Sequence, residues 1–306
     1  GLIVATCIQD IFPVIDIKAE GIQQDVVSLT LMDQLVGFFP TNIINPILTN
    51  NMMQVIVIAV LLGIAIVHVG EKAEPAKQVL LSFNEVVAKI LGYIMLVSPI
   101  GVFCMLTPVV ATNGPQVLGS YAVLIGADYF CFLLHAILVY ATLVYFLGRM
   151  NPIRFFKGMS PAMLFAFSSD SSVATLPYTM ECTRKLGVNK DLGDFVLPLG
   201  ATINMDGVAI YLGVTSVFIA HCCGMDLTMN QYIAIAISST IASIGTPGIP
   251  GGSLALMAMV FASAGIPVEG VAIAAGIDRL VDMARTTMSI TGDASCAVIL
   301  QRFLKD

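Results

Sequence analysis

Between Val271 and Leu300 an otherwise apolar run carries five charges, Asp278, Arg279, Asp282, Arg285 and Asp293. The run is long enough to cross a bilayer as one helix. At bilayer depth each charge costs about 2.5–3.5 kcal/mol on insertion scales, so each must face protein, water or a ligand. Asp278, Asp282, Arg285, Ser289 and Asp293 fall at offsets 0, 4, 7, 11 and 15, which is one face of an α-helix. Arg279 points away from that face. A stripe of this kind is either a structural ion-pair ladder or an ion and substrate site.

Composition supports the membrane reading. Hydrophobic residues make up 57% of the chain and charged residues 11%, too few polar groups to cover a water-soluble surface. The net charge of −6 says little about partners, because topology depends on where Lys and Arg lie. The seven cysteines are scattered without a CxxC spacing and read as small apolar residues.

Along the chain, Leu2 to Val14 is too short to span and reads as the end of a helix begun upstream, as in a fragment lacking earlier membrane helices. Residues 16 to 25 are loop-like. Leu35 to Val69 breaks into short pieces at Pro40, Asn45 and Pro46, then a long helix from Met53. Val79 to Val110 and Val117 to Phe146 are further spans, separated by the Asn113-Gly114-Pro115 turn. Basic residues cluster at Lys72 and Lys77, at Arg149, Arg154 and Lys157, at Arg184, Lys185 and Lys190, and at Arg302 and Lys305. The loops near Asn113, Asp226 and Pro267 hold none, so the basic set is cytoplasmic.

That alternation requires the stretch between Lys157 and Arg184 to enter and leave on one side. Met159 to Phe167 and Val173 to Cys182 are arms of about ten residues, too short for a core of about 30 Å, around the polar tip Ser168 to Ser172. The expectation is a re-entrant hairpin lining a cavity. Leu192 to His221 is a span interrupted at Asn204-Met205-Asp206-Gly207, residues that are poor helix formers or oxygen donors. A second hairpin follows, Tyr232 to Ser243 and Ser253 to Ala264, with its tip at Ile244 to Gly252, entering from the opposite face. Pro247, Gly248, Pro250 and Gly251 suit that tip to be a mobile lid. The predicted fold is an all-α polytopic membrane protein with two re-entrant helical hairpins in an inverted repeat. Such interrupted pairs point to the binding site of a secondary transporter.

Asp206, Asp278, Asp282 and Asp293 exceed Arg279 and Arg285 by two charges, so the site favours cations or a ligand bearing an ammonium. Asn204, Asp206 and Asp293 are hard oxygen donors, which select Na⁺ over a transition metal. Arg285 suits a carboxylate and Asp282 an ammonium, a combination fit for an amino acid or a small dicarboxylate. Asp282, one turn before Arg285, is its available partner when no substrate carboxylate is bound.

Four stretches, Ser168–Thr175 with Leu176-Pro177, Asn204–Gly207, Gly245–Gly248, and Asp278–Thr286 with Gly292-Asp293, resemble the dicarboxylate/amino acid:cation symporters, the glutamate transporter family. The resemblance runs from about Leu31 to the C-terminus. It implies a homotrimer in the inner membrane, contacting lipid, whose transport region moves like an elevator. Residues 1–156 would form scaffold and linking helices, with 157–306 most of the moving core. It further implies that Asp282 binds the substrate ammonium and Arg285 a side-chain carboxylate. Thr286, Ser289 and Gly248 would share that pocket, and Ser171 and Ser172 would cap the α-carboxylate. One Na⁺ site would comprise Gly200, Asn204, Ser289 and Asp293; a second, backbone oxygens of Thr202, Met205, Ser243, Ile244 and Thr246; a third would include Asp206. Na⁺ is the implied coupling ion, with no organic cofactor, no nucleic-acid partner and no enzymatic activity.

The chain departs from acidic-substrate members at Val208, where Thr is usual, at Ser289, where Asn is usual, and at Asp170 and Met283, one of which is often Arg. Three alternatives remain open: proton coupling through Asp206 or Asp293, a neutral amino acid or cystine as substrate, and a passive anion channel. An intramembrane hydrolase using Ser168 to Ser172 lacks a nearby histidine in sequence.

Overall fold

The computed structural model describes residues 1–9, 12, 39–48, 52–113, 117–246, 248 and 250–304. The loop expected over residues 16 to 25, Gly114-Pro115 of the expected turn, and Pro247 of the expected lid lie outside the described residues. Every regular element among the described residues is helical. The chain divides into two compact units, Gly21–Met105 and Gly1–Glu20 with Leu106–Asp306.

Helix α1 is Leu2–Ile8. In the smaller unit a single turn, Asn45–Leu48, precedes α2, Met52–Val69, and a 3₁₀ turn, Gly70–Ala73, leads into α3, Glu74–Asn113, which runs past the unit's end at Met105. Helix α2 is apolar on every side, the pattern of a helix that avoids water all round. Its Val60, Leu61, Leu62 and Ile64 are half-exposed, a continuous apolar surface incompatible with water.

In the larger unit α4, Val117–His135, runs through a π-turn at Ala136–Ala141 into α5, Thr142–Phe146. Next come α6, Pro152–Ser169, and α7, Ser172–Lys185; then α8, Lys190–Ile203, and α9, Asp206–Cys222. Last are α10, Met229–Gly245, α11, Leu254–Ser263, α12, Gly270–Ala275, and α13, Asp278–Phe303. Within this unit, Tyr121–Phe146 and Lys190–Cys222 are long and apolar enough to cross a bilayer.

The helical arms are longer than their apolar runs suggest. Helix α6 begins at Pro152, with the Asn151 side chain accepting the Ile153 N–H, because proline suits a first turn whose N–H would be unbonded anyway. It ends at Asp170 in the left-handed region, φ 53°. Ser171 caps α7, its hydroxyl accepting the Ala174 N–H at 3.1 Å. The turn between these helices is therefore Asp170-Ser171 rather than all of Ser168 to Ser172. Ser168 joins the last turn of α6 by donating to the Phe165 carbonyl. The interruption between α8 and α9 is likewise two residues, Asn204 and Met205, since Asp206 and Gly207 open α9.

Helix α13 is the hub, packing against α4, α6, α7, α8 and α9. Its contact with α6 is made by Ile290, Ala294 and Ala297 against Met159, Ala162 and Ala166, all buried. Alanines at helical spacing let backbones approach closely, which matters where no hydrophobic effect operates between helices in lipid. Helix α1 lies on α9, with the Phe12 and Phe218 rings 5.1 Å apart, edge to face.

Helix α10 starts with a capping box: Gln231 N–H donates to the Thr228 hydroxyl, and the Gln231 side chain accepts the Thr228 N–H. Thr228→Ala removes one half of it. The expected outcome is a loss of about 1 kcal/mol, seen as a lower melting temperature of the purified protein.

Candidate functional site

Helix α13 presents its polar stripe inward: Asp278, Asp282, Arg285, Ser289 and Asp293 are each 5% exposed or less. Arg279, off the stripe, is half-exposed and reaches Asp170 at the α6–α7 turn, 2.8 Å away. Asp282 and Arg285 lie on one face because residues three apart in a helix are neighbours.

Arg285 is held on every side. Its Nη2 is 2.7 Å from Asp282 Oδ1 and its Nη1 is 3.5 Å from Asp278 Oδ1. Nη1 also donates to the Ser253 hydroxyl, and the guanidinium carbon stands 4.9 Å from the Tyr211 ring centroid. Asp282 is satisfied in turn by the Gly251 N–H at 2.9 Å and the Thr286 hydroxyl at 3.3 Å. Gly251 has φ 73°, a left-handed backbone that a side chain would strain.

The two helix-joining turns meet over this centre. Ser171 Oγ donates to the Gly248 carbonyl at 2.9 Å. Gly248 also stands against Val173, Met205 and the Ala201 carbonyl, so both turns converge on the α8–α9 break. Beneath them is a narrow cavity of about 10 Å³, lined by Ser172, Met205, Val208, Thr246, Gly248, Asp282, Arg285, Thr286 and Ser289. Of the expected pocket residues only Ser171 is missing from the lining; its hydroxyl is used by Ala174 and Gly248.

A second carboxylate centre lies further along α13. Asn204 Nδ2 donates to Asp293 Oδ1 at 2.8 Å. A methyl on Gly200 would come within 2.4 Å of that same oxygen, so the α8 backbone lies directly against the carboxylate. Gly292 is equally constrained, with Asp206 Oδ2 2.8 Å and Tyr140 Oη 2.9 Å from where its Cβ would be. Tyr140 donates to Asp206, and His135 Nε2 is 3.7 Å from the same carboxylate.

His135 and Tyr140 are five residues apart. In an α-helix they would diverge by about 140°; the π-turn with its i→i+5 bonding brings them to one side. Their rings pack edge to face at 4.9 Å. Neither residue was legible as a site residue, since an aromatic and a histidine in an apolar span are ordinary. Only the π-turn joins them to Asp206.

The remaining expected ion ligands are more dispersed. The Ser243 and Thr246 hydroxyls donate to the carbonyls of Thr240 and Ala242. Thr202 is exposed and donates to the Pro198 and Leu199 carbonyls. Ile244 is 47% exposed. From this set Met205 and Thr246 line the cavity. Sequence reasoning also missed Ser253, Gly251 and Tyr211 as partners of the Arg285–Asp282 pair, because their proximity arises from tertiary packing.

A profile described as the sodium:dicarboxylate symporter family matches residues 1–303, starting well before Leu31, where the motif resemblance began. The chain is 34% identical over 264 residues to a putative sodium-dependent excitatory amino acid transporter, glt-4, of Caenorhabditis elegans, covering 84% of this chain and 52% of the relative. It is 30% identical over 284 residues to a proton/sodium-glutamate symport protein of Bacillus caldotenax, covering 90% and 65%. It is 35% identical over 263 residues to the neutral amino acid transporter B(0) of Rattus norvegicus, covering 83% and 46%. The chain thus spans roughly half to two thirds of these relatives' lengths.

The contact at Gly200 yields a paired test. Gly200→Ala forces Asp293 or the α8 backbone to shift, whereas Gly193→Ala in the same helix meets nothing closer than 3.8 Å. Gly193→Ala is expected to be neutral or stabilising by up to about 1 kcal/mol, and Gly200→Ala to lower the melting temperature. Equal melting temperatures for the two variants would place Asp293 away from Gly200.

Proposed function

We propose, on the premise that this chain belongs to the sodium:dicarboxylate symporter family, that it is the transport part of a Na⁺-coupled amino-acid symporter favouring an acidic substrate. The observation that carries this reading is Arg285, buried at the floor of the cavity and opposed by Asp282. A guanidinium there offers two parallel donors to a carboxylate. An acidic side chain would take over Arg285 and leave Asp282 to the substrate ammonium. Ser172 and the backbone at Gly248 would then receive the α-carboxylate. Its relatives include proteins named as glutamate, excitatory amino acid and neutral amino acid transporters. Val208 in the wall supplies no hydroxyl, so Arg285 carries the discrimination for an acidic side chain.

Na⁺ is the proposed co-substrate. Asp293 with Asn204, and the backbone of Gly200 beside them, supplies hard oxygens. Asp206, with Tyr140 close by, is a second candidate ligand. Ser289 would complete the first site; its hydroxyl currently donates to the Arg285 carbonyl at 3.2 Å. The backbone oxygens of Thr202, Met205, Ser243, Ile244 and Thr246 are the proposed further site. Cation binding neutralises carboxylates that would otherwise repel an anionic substrate, which is the physical basis of symport.

The α6–α7 and α10–α11 pairs are proposed as two re-entrant hairpins of an inverted repeat. Residues 157–306 would be most of a moving core, carried across the membrane in an elevator motion within a homotrimer whose scaffold includes parts of 1–156.

Two variants test this reading. Arg285→Cys is expected to abolish aspartate and glutamate binding, a loss of about 2–5 kcal/mol, while retaining serine. Should the wild type prefer a neutral amino acid and the variant bind it equally well, Arg285 is a structural ion-pair partner. Asp293→Asn is expected to weaken Na⁺ binding, so that substrate affinity no longer rises with sodium in an equilibrium titration. Unchanged sodium dependence removes Asp293 from the ion site.

A further inference from the structure

Asp128 takes no part in the sites described above, yet it is among the most thoroughly buried charges in the chain. It lies on α4, is 0% exposed, and neither carboxylate oxygen has a hydrogen-bond partner among the described residues. The Tyr121 hydroxyl, two turns earlier on the same face of α4, and the Thr215 hydroxyl on α9 are also buried without partners. The Tyr211 hydroxyl, one turn before Thr215, is turned toward Asp278 but makes no hydrogen bond of ordinary geometry. Helix α4 packs against both α9 and α13, and Tyr129 ties it to the start of α13 by donating to the Leu280 carbonyl at 2.8 Å.

The charged and titratable groups within electrostatic reach of Asp128 are Arg285 and Asp278 on α13, Tyr211 on α9 and Cys131 on α4. Arg285 cannot neutralise it, being engaged by Asp282 and Asp278. An ionised carboxylate with no donor among the described residues, buried between helices, is among the costliest groups a protein can hold. A proton removes that cost and needs no ligand shell.

We propose that Asp128 is a proton-binding site of the core, and that its proton and an anionic substrate bind cooperatively; the second half rests on the reading of the Arg285 pocket given above. The link is Arg285. Ionised, Asp128 adds a third carboxylate to those already competing for one guanidinium, and its field opposes an incoming substrate anion. Protonated, it leaves the positive potential of Arg285 to the pocket. The step is R–COO⁻ + H⁺ ⇌ R–COOH, with the proton taken from solvent and no other bond changed. By reciprocity, substrate binding then draws the proton on.

Calorimetric titration of the full protein with aspartate, in buffers of differing ionisation enthalpy over about pH 5 to 9, measures protons taken up per aspartate bound. The wild type is expected to take up as much as one proton, its affinity falling by up to about tenfold per pH unit where Asp128 is ionised in the free protein. Asp128→Asn is expected to bind aspartate with no such uptake and a nearly flat pH profile. Asp128→Leu, which puts an apolar group in an apolar setting, serves if the Asn variant does not assemble. An infrared band of a protonated carboxyl, present in the wild type and lost in either variant, reads the site without any substrate.

Wild-type uptake and pH slope persisting in the variants, or no such band, overturns the proposal. A difference that follows Na⁺ concentration instead of pH assigns Asp128 to a metal cation and overturns it equally. If no amino acid binds while the band is present and lost on substitution, the pocket reading and the coupling fail and the proton site stands.

Discussion

A guanidinium sealed at the centre of a helical bundle sets the terms for everything around it. Arg285 is 2% exposed, and a cation in that position is tolerable only with anions and hydrogen-bond acceptors on each side. Asp282 and Asp278 come from its own helix, Ser253 from the start of α11 and the Tyr211 ring from α9. Because the partners belong to three elements, the pairing registers α9, α11 and α13 against one another. Gly251 extends this by giving its N–H to Asp282. Any ligand that competes for Arg285 or Asp282 therefore loosens the contacts that hold the α10–α11 turn over the cavity.

Backbone irregularity is concentrated where polar side chains must converge. The α8–α9 break, the Asp170-Ser171 turn, Gly248 and Gly251, and the π-turn all adjoin the two carboxylate centres. At the α10–α11 connection the Gly251 N–H is bonded to Asp282, and at the α6–α7 turn the Asp170 N–H to the Ala166 carbonyl, as a low-dielectric environment requires. The π-turn adds one residue per turn over a short stretch, enough to bring His135 and Tyr140 onto the same carboxylate. Glycine at 200 and 292 serves the same convergence by leaving room for carboxylates against helix backbone.

The α6–α7 turn shows how a charge pattern can be rearranged without being lost. Asp170 occupies the tip, and Arg279, which points off the polar stripe, supplies the matching cation. This contact joins the turn to the beginning of α13, the helix that also carries Arg285. Position of the turn and position of the Arg285–Asp282 pair are therefore mechanically linked.

The sequence by itself determined a helical membrane protein, the inward stripe of α13 and the carboxylates of both centres. Helical periodicity and the cost of charge in an apolar run are local rules, so Asp278, Asp282, Arg285 and Asp293 stood out without any structure. Asp128, a lone acid in the apolar stretch of α4, was not singled out, because a single charge has no spacing from which to read a partner. Helix ends escaped for a different reason: hydropathy marked where the apolar arms stopped, while side-chain caps at Asn151, Ser171 and Thr228 carried the helices further. Only the tertiary structure decided that Tyr140 and His135 join Asp206, that Ser253 and Gly251 complete the Arg285 pair, and that Asp170 meets Arg279. These contacts link residues from 31 to 109 positions apart, and two of them depend on a π-turn with no distinctive sequence. Packing of α4, α9, α11 and α13 brings them together, and no periodicity within one helix encodes that.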